Sequence, residues 1–310
     1  MRSYKKLALA LAALLLIASL AGCANTRNSN TSTGNTAIDN AKSAYFVNVS
    51  WLKDNLGSVI LVDARTADEY KKGHLPGAVN APWQEFANVT GKPGQPDWGT
   101  LLPKDKLAEK MGSFGIDGKK AVIVYADPKG WGEDGRIVWM LRMAGVADSK
   151  MLDGGWKAWK DANYETSADT QTTTPVNFSI NNLDESLNAS TEWIAENISK
   201  IKVVDSRSEK EYGGATDYGE ARGGHLPGAI NIPFENVFNS DGTVKSTDEL
   251  KALFEKAGLK PGDEIVTYCT KGIRSSHMSL LLRMAGFDKT RNYDASFYSW
   301  AGNSSLKVDK

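Results

Sequence analysis

Hydrophobic residues in this chain come in short solid blocks. Val59–Asp63, Ala121–Tyr125, Lys202–Asp205 and Ile265–Tyr268 are near-continuous apolar runs rich in Val and Ile. Runs of this kind predict strands covered on both faces, the situation inside a parallel sheet. Two other stretches carry apolar residues at helical spacing: Arg136–Ala144, ended by Gly145, and Arg274–Ala285, ended by Gly286. A glycine just past the last periodic residue suits the left-handed stop of a helix. Strands alternating with helices predict an α/β architecture with mainly parallel sheets flanked by helices. Residues 166–186 are polar, contain Pro175 and lack a helical period, which predicts a linker.

The pattern runs twice. Leu61-Val62-Asp63-Ala64-Arg65 returns as Val203-Val204-Asp205-Ser206-Arg207, and Glu69-Tyr70 as Glu211-Tyr212. Gly73-His74-Leu75-Pro76-Gly77-Ala78 returns unchanged at 224–229, and Leu141-Arg142-Met143-Ala144-Gly145 at 282–286. The second copy carries nine extra residues between Tyr212 and Gly224. A repeat this long is too large for a solenoid unit and predicts two homologous domains, 43–165 and 187–310.

The last apolar run ends at Cys269, which opens Cys269-Thr270-Lys271-Gly272-Ile273-Arg274 before a helix. A thiol between a strand end and a helix N-terminus sits among converging N–H groups at the positive end of the dipole. Both favour thiolate, the nucleophilic form. Lys271 and Arg274 add positive charge, and Gly272 permits a tight curl. Arg274 has two readings of equal weight: contact with an anion, or a brace against a carboxylate. A core cysteine would need neither the glycine nor the cations.

The N-terminus changes the picture of where the protein works. Arg2, Lys5 and Lys6 precede an apolar stretch, Leu7–Leu20, and then Leu20-Ala21-Gly22-Cys23. This is a signal-peptide pattern, too short to span a membrane comfortably. Its ending resembles the lipobox of bacterial lipoproteins. That resemblance implies cleavage after residue 22, lipidation of Cys23, and an extracytoplasmic protein anchored to a bacterial membrane. Residues 23–42, rich in Asn, Ser and Thr, are expected to be a disordered tether. Cys269 is then the one free cysteine, so no intramolecular disulfide is expected.

Lys+Arg and Asp+Glu both total 37, so the net charge is zero, and there is no basic tract. No nucleic-acid partner is expected. The three histidines are too dispersed for a metal site, and no cofactor is expected.

Asp-x-Arg, Gly-His-Leu-Pro-Gly-Ala, Leu-Asp-Gly-Gly-Trp at 152–156 and the Cys-opened six-residue loop together resemble the rhodanese family of tandem-domain sulfurtransferases. The resemblance covers roughly residues 45–310. It implies a first domain without a nucleophile, Ala126 standing in place of Cys269, and a catalytic second domain. Cys269 would take the outer sulfur of thiosulfate as a persulfide and pass it to cyanide or a thiol, with Thr270, Lys271, Gly272, Ile273 and Arg274 binding substrate. Many relatives have a donor-binding arginine where this chain has Glu211. Arg222 either supplies that charge or is an exposed loop arginine. The alternatives are 3-mercaptopyruvate as donor, a phosphatase-like site (which would use Cys-x5-Arg, not Cys-x4-Arg) and a tethered non-enzymatic redox module. Arg65, Arg207, His74 and His225 occur in both copies and are expected to be structural. Trp156, Trp159 and Trp300 are expected in the core or an interface, and His277 is not needed as a base.

Overall fold

The apolar runs form the centres of two parallel sheets in the computed structural model, which describes residues 39–310. The first repeat supplies β1 (Phe46–Val47), α1 (Val49–Asn55), β2 (Ile60–Asp63), α2 (Ala67–Lys72), β3 (Val79–Asn80), α3 (Lys104–Ser113), β4 (Val122–Tyr125), α4 (Glu133–Met143), β5 (Ser149–Leu152) and α5 (Gly155–Asp161). The second supplies α6 (Thr191–Asn197), β6 (Lys202–Asp205), α7 (Glu209–Tyr212), β7 (Ile230–Asn231), α8 (Thr247–Lys256), β8 (Ile265–Tyr268), α9 (Ile273–Met284), β9 (Thr290–Asn292) and α10 (Ser296–Gly302). Strand orders are β1-β5-β4-β2-β3 and β7-β6-β8-β9. Every residue of β4 and β8 is buried, which is why these runs show no alternation.

Register explains the repeated Asp-x-Arg. Asp63 pairs with Tyr125, and Asp205 with Tyr268. The Tyr125 hydroxyl donates to Asp63 at 2.6 Å, and Tyr268 donates to Asp205 in the same way. Arg65 and Arg207 pair with these buried aspartates. Each also donates to a carbonyl of the turn motif, Gly73 O at 2.8 Å and Gly224 O at 2.7 Å. His74 and His225 stack on Tyr70 and Tyr212, with centroids 3.7 Å apart in each case. All four repeated residues are structural, as their presence in both copies implied. Trp159 and Trp300 are buried, and Trp156 packs against the first-domain core.

The two domains meet chiefly along α4 and α9. The helices approach closely at Gly135, where a Cβ would stand 2.4 Å from His277 Cβ. Buried charges fix the register. Arg136 pairs with Asp294 and donates to Gly99 O at 3.0 Å. Lys42 pairs with Asp153 at 2.7 Å, and Asp153 also accepts from Val244 N at 2.8 Å. Such pairs specify geometry more than they add stability, because desolvating both charges is costly.

The structure bears on the connecting segments unevenly. Residues 39–42 belong to the folded body: Asp39 accepts from the Thr247 hydroxyl and Lys42 is buried against Asp153. The 166–186 segment has the predicted lack of helices and strands up to a 3-10 turn at Glu185–Leu187. It lies along the first domain, with Ser167 bridging His74 and Val176 N donating to Gly112 O at 3.0 Å. Cys23 and the predicted signal segment fall outside the described residues. Among the described residues no helix is long and apolar enough to cross a membrane.

Candidate active site

Strand β8 delivers Cys269 to the carboxyl edge of its sheet, and α9 begins four residues later. The turn between them depends on Gly272, whose φ is +82°. A Cβ there would meet Asp294 O at 2.5 Å, so both conformation and space exclude other residues. The start of α10 clamps the cysteine backbone. Ser296 Oγ accepts from Cys269 N at 2.8 Å, and Phe297 N donates to Cys269 O at 3.1 Å.

The thiol is 1% exposed. Burial pushes its pKa up, but the Arg274 charge, the Ser275 and Lys271 N–H groups and the Ser275 hydroxyl outweigh that and hold it below the ordinary thiol value. Ser275 Oγ stands 3.7 Å from the sulfur and 2.7 Å from Asn292 Oδ1. Its single proton serves one of them at a time.

Arg274 braces the loop. Its guanidinium takes both Glu211 oxygens, at 2.8 and 2.7 Å, and donates to Thr270 Oγ1 at 2.9 Å. Thr270 in turn donates to Glu211 at 2.8 Å. Burial pushes the Glu211 carboxyl up. Hydrogen bonds and charge from Arg274, helped by Ser208 and Thr270, pull it harder the other way, to about 2. The position read as a departure from relatives is therefore the partner of the loop arginine.

Lys271 points its ammonium between two first-domain indoles, 5.2 Å from the Trp83 centroid and 5.1 Å from that of Trp98. Burial lowers its pKa, against the opposing charges of Cys269 and Glu133. No ion pair is made by Lys271 among the described residues. It is the loop cation whose charge is not already neutralised by a carboxylate.

A cavity of about 270 Å³ opens over Cys269, lined by Thr270, Lys271, Ile273, Arg274 and, from elsewhere, Pro93, Trp131, Tyr218 and Tyr298. Places where the repeats differ in length converge here. Trp131 comes from the longer first-copy loop and Tyr218 from the nine extra residues of the second. Their rings meet edge to face at 5.2 Å, and Arg274 lies over Trp131 at 4.7 Å. The first domain thus supplies part of the cleft wall, through Pro93 and Trp131.

Arg222 corrects both of its sequence readings. It is neither an anion ligand nor a free loop residue. Its guanidinium donates to the carbonyls of Trp300, Ala301, Asn303 and Leu306 at 2.7–3.0 Å, pinning the C-terminal segment. With five fixed donors, an arginine spent in this way has little left for a substrate.

The first-copy counterpart is charge-inverted. Counting back from the shared Leu-Arg-Met-Ala-Gly, Glu133 stands where Arg274 stands. The adjoining cavity is lined by Glu69, Asp127 and Glu133, together with Arg65, which is already paired with Asp63; Ala126 stands in the thiol's sequence position. Burial pushes Glu133 up to about 7. This loop carries no cation in the place of Arg274.

Rhodanese-like domains match residues 48–162 and 190–303. The chain belongs to the rhodanese family. It is 30% identical over 282 residues to the sulfur carrier protein TtuD of Thermus thermophilus, covering 85% of this chain and 96% of that one. It is also 30% identical over 281 residues to a thiosulfate sulfurtransferase of Corynebacterium glutamicum, covering 85% and 89%. Among solved structures it is similar to the anaerobic ergothioneine biosynthesis enzyme of Chlorobium limicola in complex with trimethyl histidine. The TM-score is 0.79 at 21% identity, covering 87% of this chain and 71% of that one. At that identity the likeness speaks for the rhodanese fold alone.

Proposed function

We propose that this rhodanese moves sulfane sulfur from thiosulfate to a thiophilic acceptor through a persulfide on Cys269. The observation that carries the reading is a buried thiol held below its ordinary pKa at a helix start, facing a cavity with one un-neutralised cation, Lys271. The Cys269 thiolate attacks the outer sulfur of thiosulfate. The S–S bond of the donor breaks, sulfite leaves with the electron pair, and the sulfur stays on Cys269. An acceptor nucleophile attacks that sulfur, and Cys269 departs as thiolate. Each acceptor supplies the electron pair of its new bond to sulfur, so no separate redox partner is required. Loop N–H groups stabilise the negative sulfur at each stage.

The relative named as a thiosulfate sulfurtransferase supports this donor. So does the charge pattern. A 3-carbon keto acid calls for a carboxylate clamp, and Arg222 and Arg274 are both committed elsewhere. Four residues between Cys269 and Arg274 make a smaller cradle than a phosphatase loop. From the lipobox-like ending at Leu20-Ala21-Gly22-Cys23 we also propose that the domains lie outside the cytoplasm, held by a lipid on Cys23. The test is thiocyanate formation from thiosulfate and cyanide. Turnover that disappears in Cys269→Ser supports the proposal, and turnover that survives in that variant refutes it.

A further inference from the structure

A second cavity shares a wall with the Cys269 pocket. It holds about 410 Å³ against 270 Å³, and Trp131 and Arg274 line both. Its size falls within the range of about 300–1,000 Å³ typical of small-molecule sites. On the persulfide reading thiosulfate and cyanide need only the inner pocket, which gives this volume no part in their reactions.

The lining is of mixed character. Phe234 and Phe238 pack edge to face at 5.0 Å and provide an apolar surface. Lys129, Lys157 and Glu235 bring charges of both signs. Lys157 is held by Asp161. Lys129 and Glu235 are exposed, and neither joins an ion pair among the described residues. Trp131 is 40% exposed, with its face on Arg274 and its ring against Tyr218. A ligand whose reacting atom reaches Cys269 from the outer cavity has to pass this indole.

We propose that the outer cavity is the acceptor subsite and takes a zwitterionic organic thiol of amino-acid or short-peptide size. This rests on the Cys269 persulfide reading. The acceptor's carboxylate faces Lys129, its ammonium faces Glu235, and its methylenes lie on Phe234 and Phe238. Its sulfur extends past Trp131. The acceptor thiol first loses its proton to solvent. The thiolate then forms a new S–S bond to the outer sulfur of the persulfide. The bond between that sulfur and Cys269 breaks, Cys269 keeps the electron pair, and the acceptor leaves as its own persulfide.

The test reads the discharge step alone. Cys269 is charged with inorganic polysulfide, loading is checked by intact mass, and persulfide loss is followed on mixing with glutathione, 2-mercaptoethanol or cyanide. Lys129→Glu and Glu235→Lys should each raise the half-saturating glutathione concentration about two- to fivefold, the range for one exposed charge contact. Discharge by 2-mercaptoethanol and cyanide should be unchanged. An unaltered glutathione dependence in both variants, or an equal change with all three acceptors, overturns the subsite. Failure of Cys269 to load at all overturns the persulfide reading, and the subsite with it.

Discussion

Glu211 binds Arg274 through two hydrogen bonds of 2.8 and 2.7 Å, and so holds the loop that opens at Cys269. Both side chains are buried, and Glu211 is also the closing residue of the Ser208 capping box on α7. One carboxylate therefore anchors a helix start and a thiol-bearing loop. Removing it leaves a buried guanidinium without its counter-ion. Glu211→Gln should lower stability by about 3–5 kcal/mol, the usual loss on breaking a buried pair. The loss should also depend on pH. With its folded pKa near 2, Glu211 contributes stability that is full above its unfolded value of about 4.3 and fades as pH falls towards 2. Denaturant midpoints of parent and variant should stay separated near pH 7 and converge below about pH 4. A constant gap across that window would contradict the role given to this carboxylate.

The thiol's own titration is a second check. Arg274, Ser275 and the loop N–H groups hold Cys269 below the ordinary thiol value. Iodoacetamide alkylation should therefore reach its plateau at a lower pH than an unperturbed thiol does. Arg274→Gln removes the largest opposing charge, so the midpoint should move up. A midpoint at or above the ordinary value in the parent protein would remove the electrostatic basis of the site.

Lys271 should decide how well an anionic donor binds. Lys271→Ala should cost about 1–3 kcal/mol in kcat/KM for thiosulfate, the range for one charged contact. Trp98→Ala loosens the slot that holds the ammonium. It should raise KM for thiosulfate about two- to fivefold with a smaller change in kcat, in line with the loss of one half-buried cation–π contact of two. Equal effects of Lys271→Ala on thiosulfate and on a neutral sulfur donor would show that the charge is not what matters.

The proposed lipid anchor should be separable from the chemistry. Cys23→Ala should release the protein from the membrane fraction or leave its signal uncleaved, while Cys269 keeps its reactivity. A version starting at Asp39 should retain full activity, since that residue is the first to make described contacts with the domains. Cys23→Ala protein that is processed normally and still sediments with membranes would argue for another attachment.

Much of this was legible in the residues. The strands flanking the site are solid apolar blocks because both faces are covered, and the Cys269 loop announces itself by its cations and glycine. The short strands β1, β3, β7 and β9, of two or three residues, carry no period to read. Glu211 was visible only as an anomaly. Its meaning depends on α7 and the loop meeting, which no local pattern encodes. Arg222 misled for the converse reason: the carbonyls that occupy it lie about eighty residues on, in the C-terminal segment. The aromatic wall had a signal that went unused, since Trp131 and Tyr218 both sit where one repeat is longer than the other.

The most direct measurement is the intact mass of the protein after thiosulfate. The account predicts a gain of one sulfur atom on the parent chain, mapped to Cys269, lost on adding cyanide, and absent in Cys269→Ser. The same gain in Cys269→Ser, or no gain in the parent protein while thiocyanate is still formed, would contradict it.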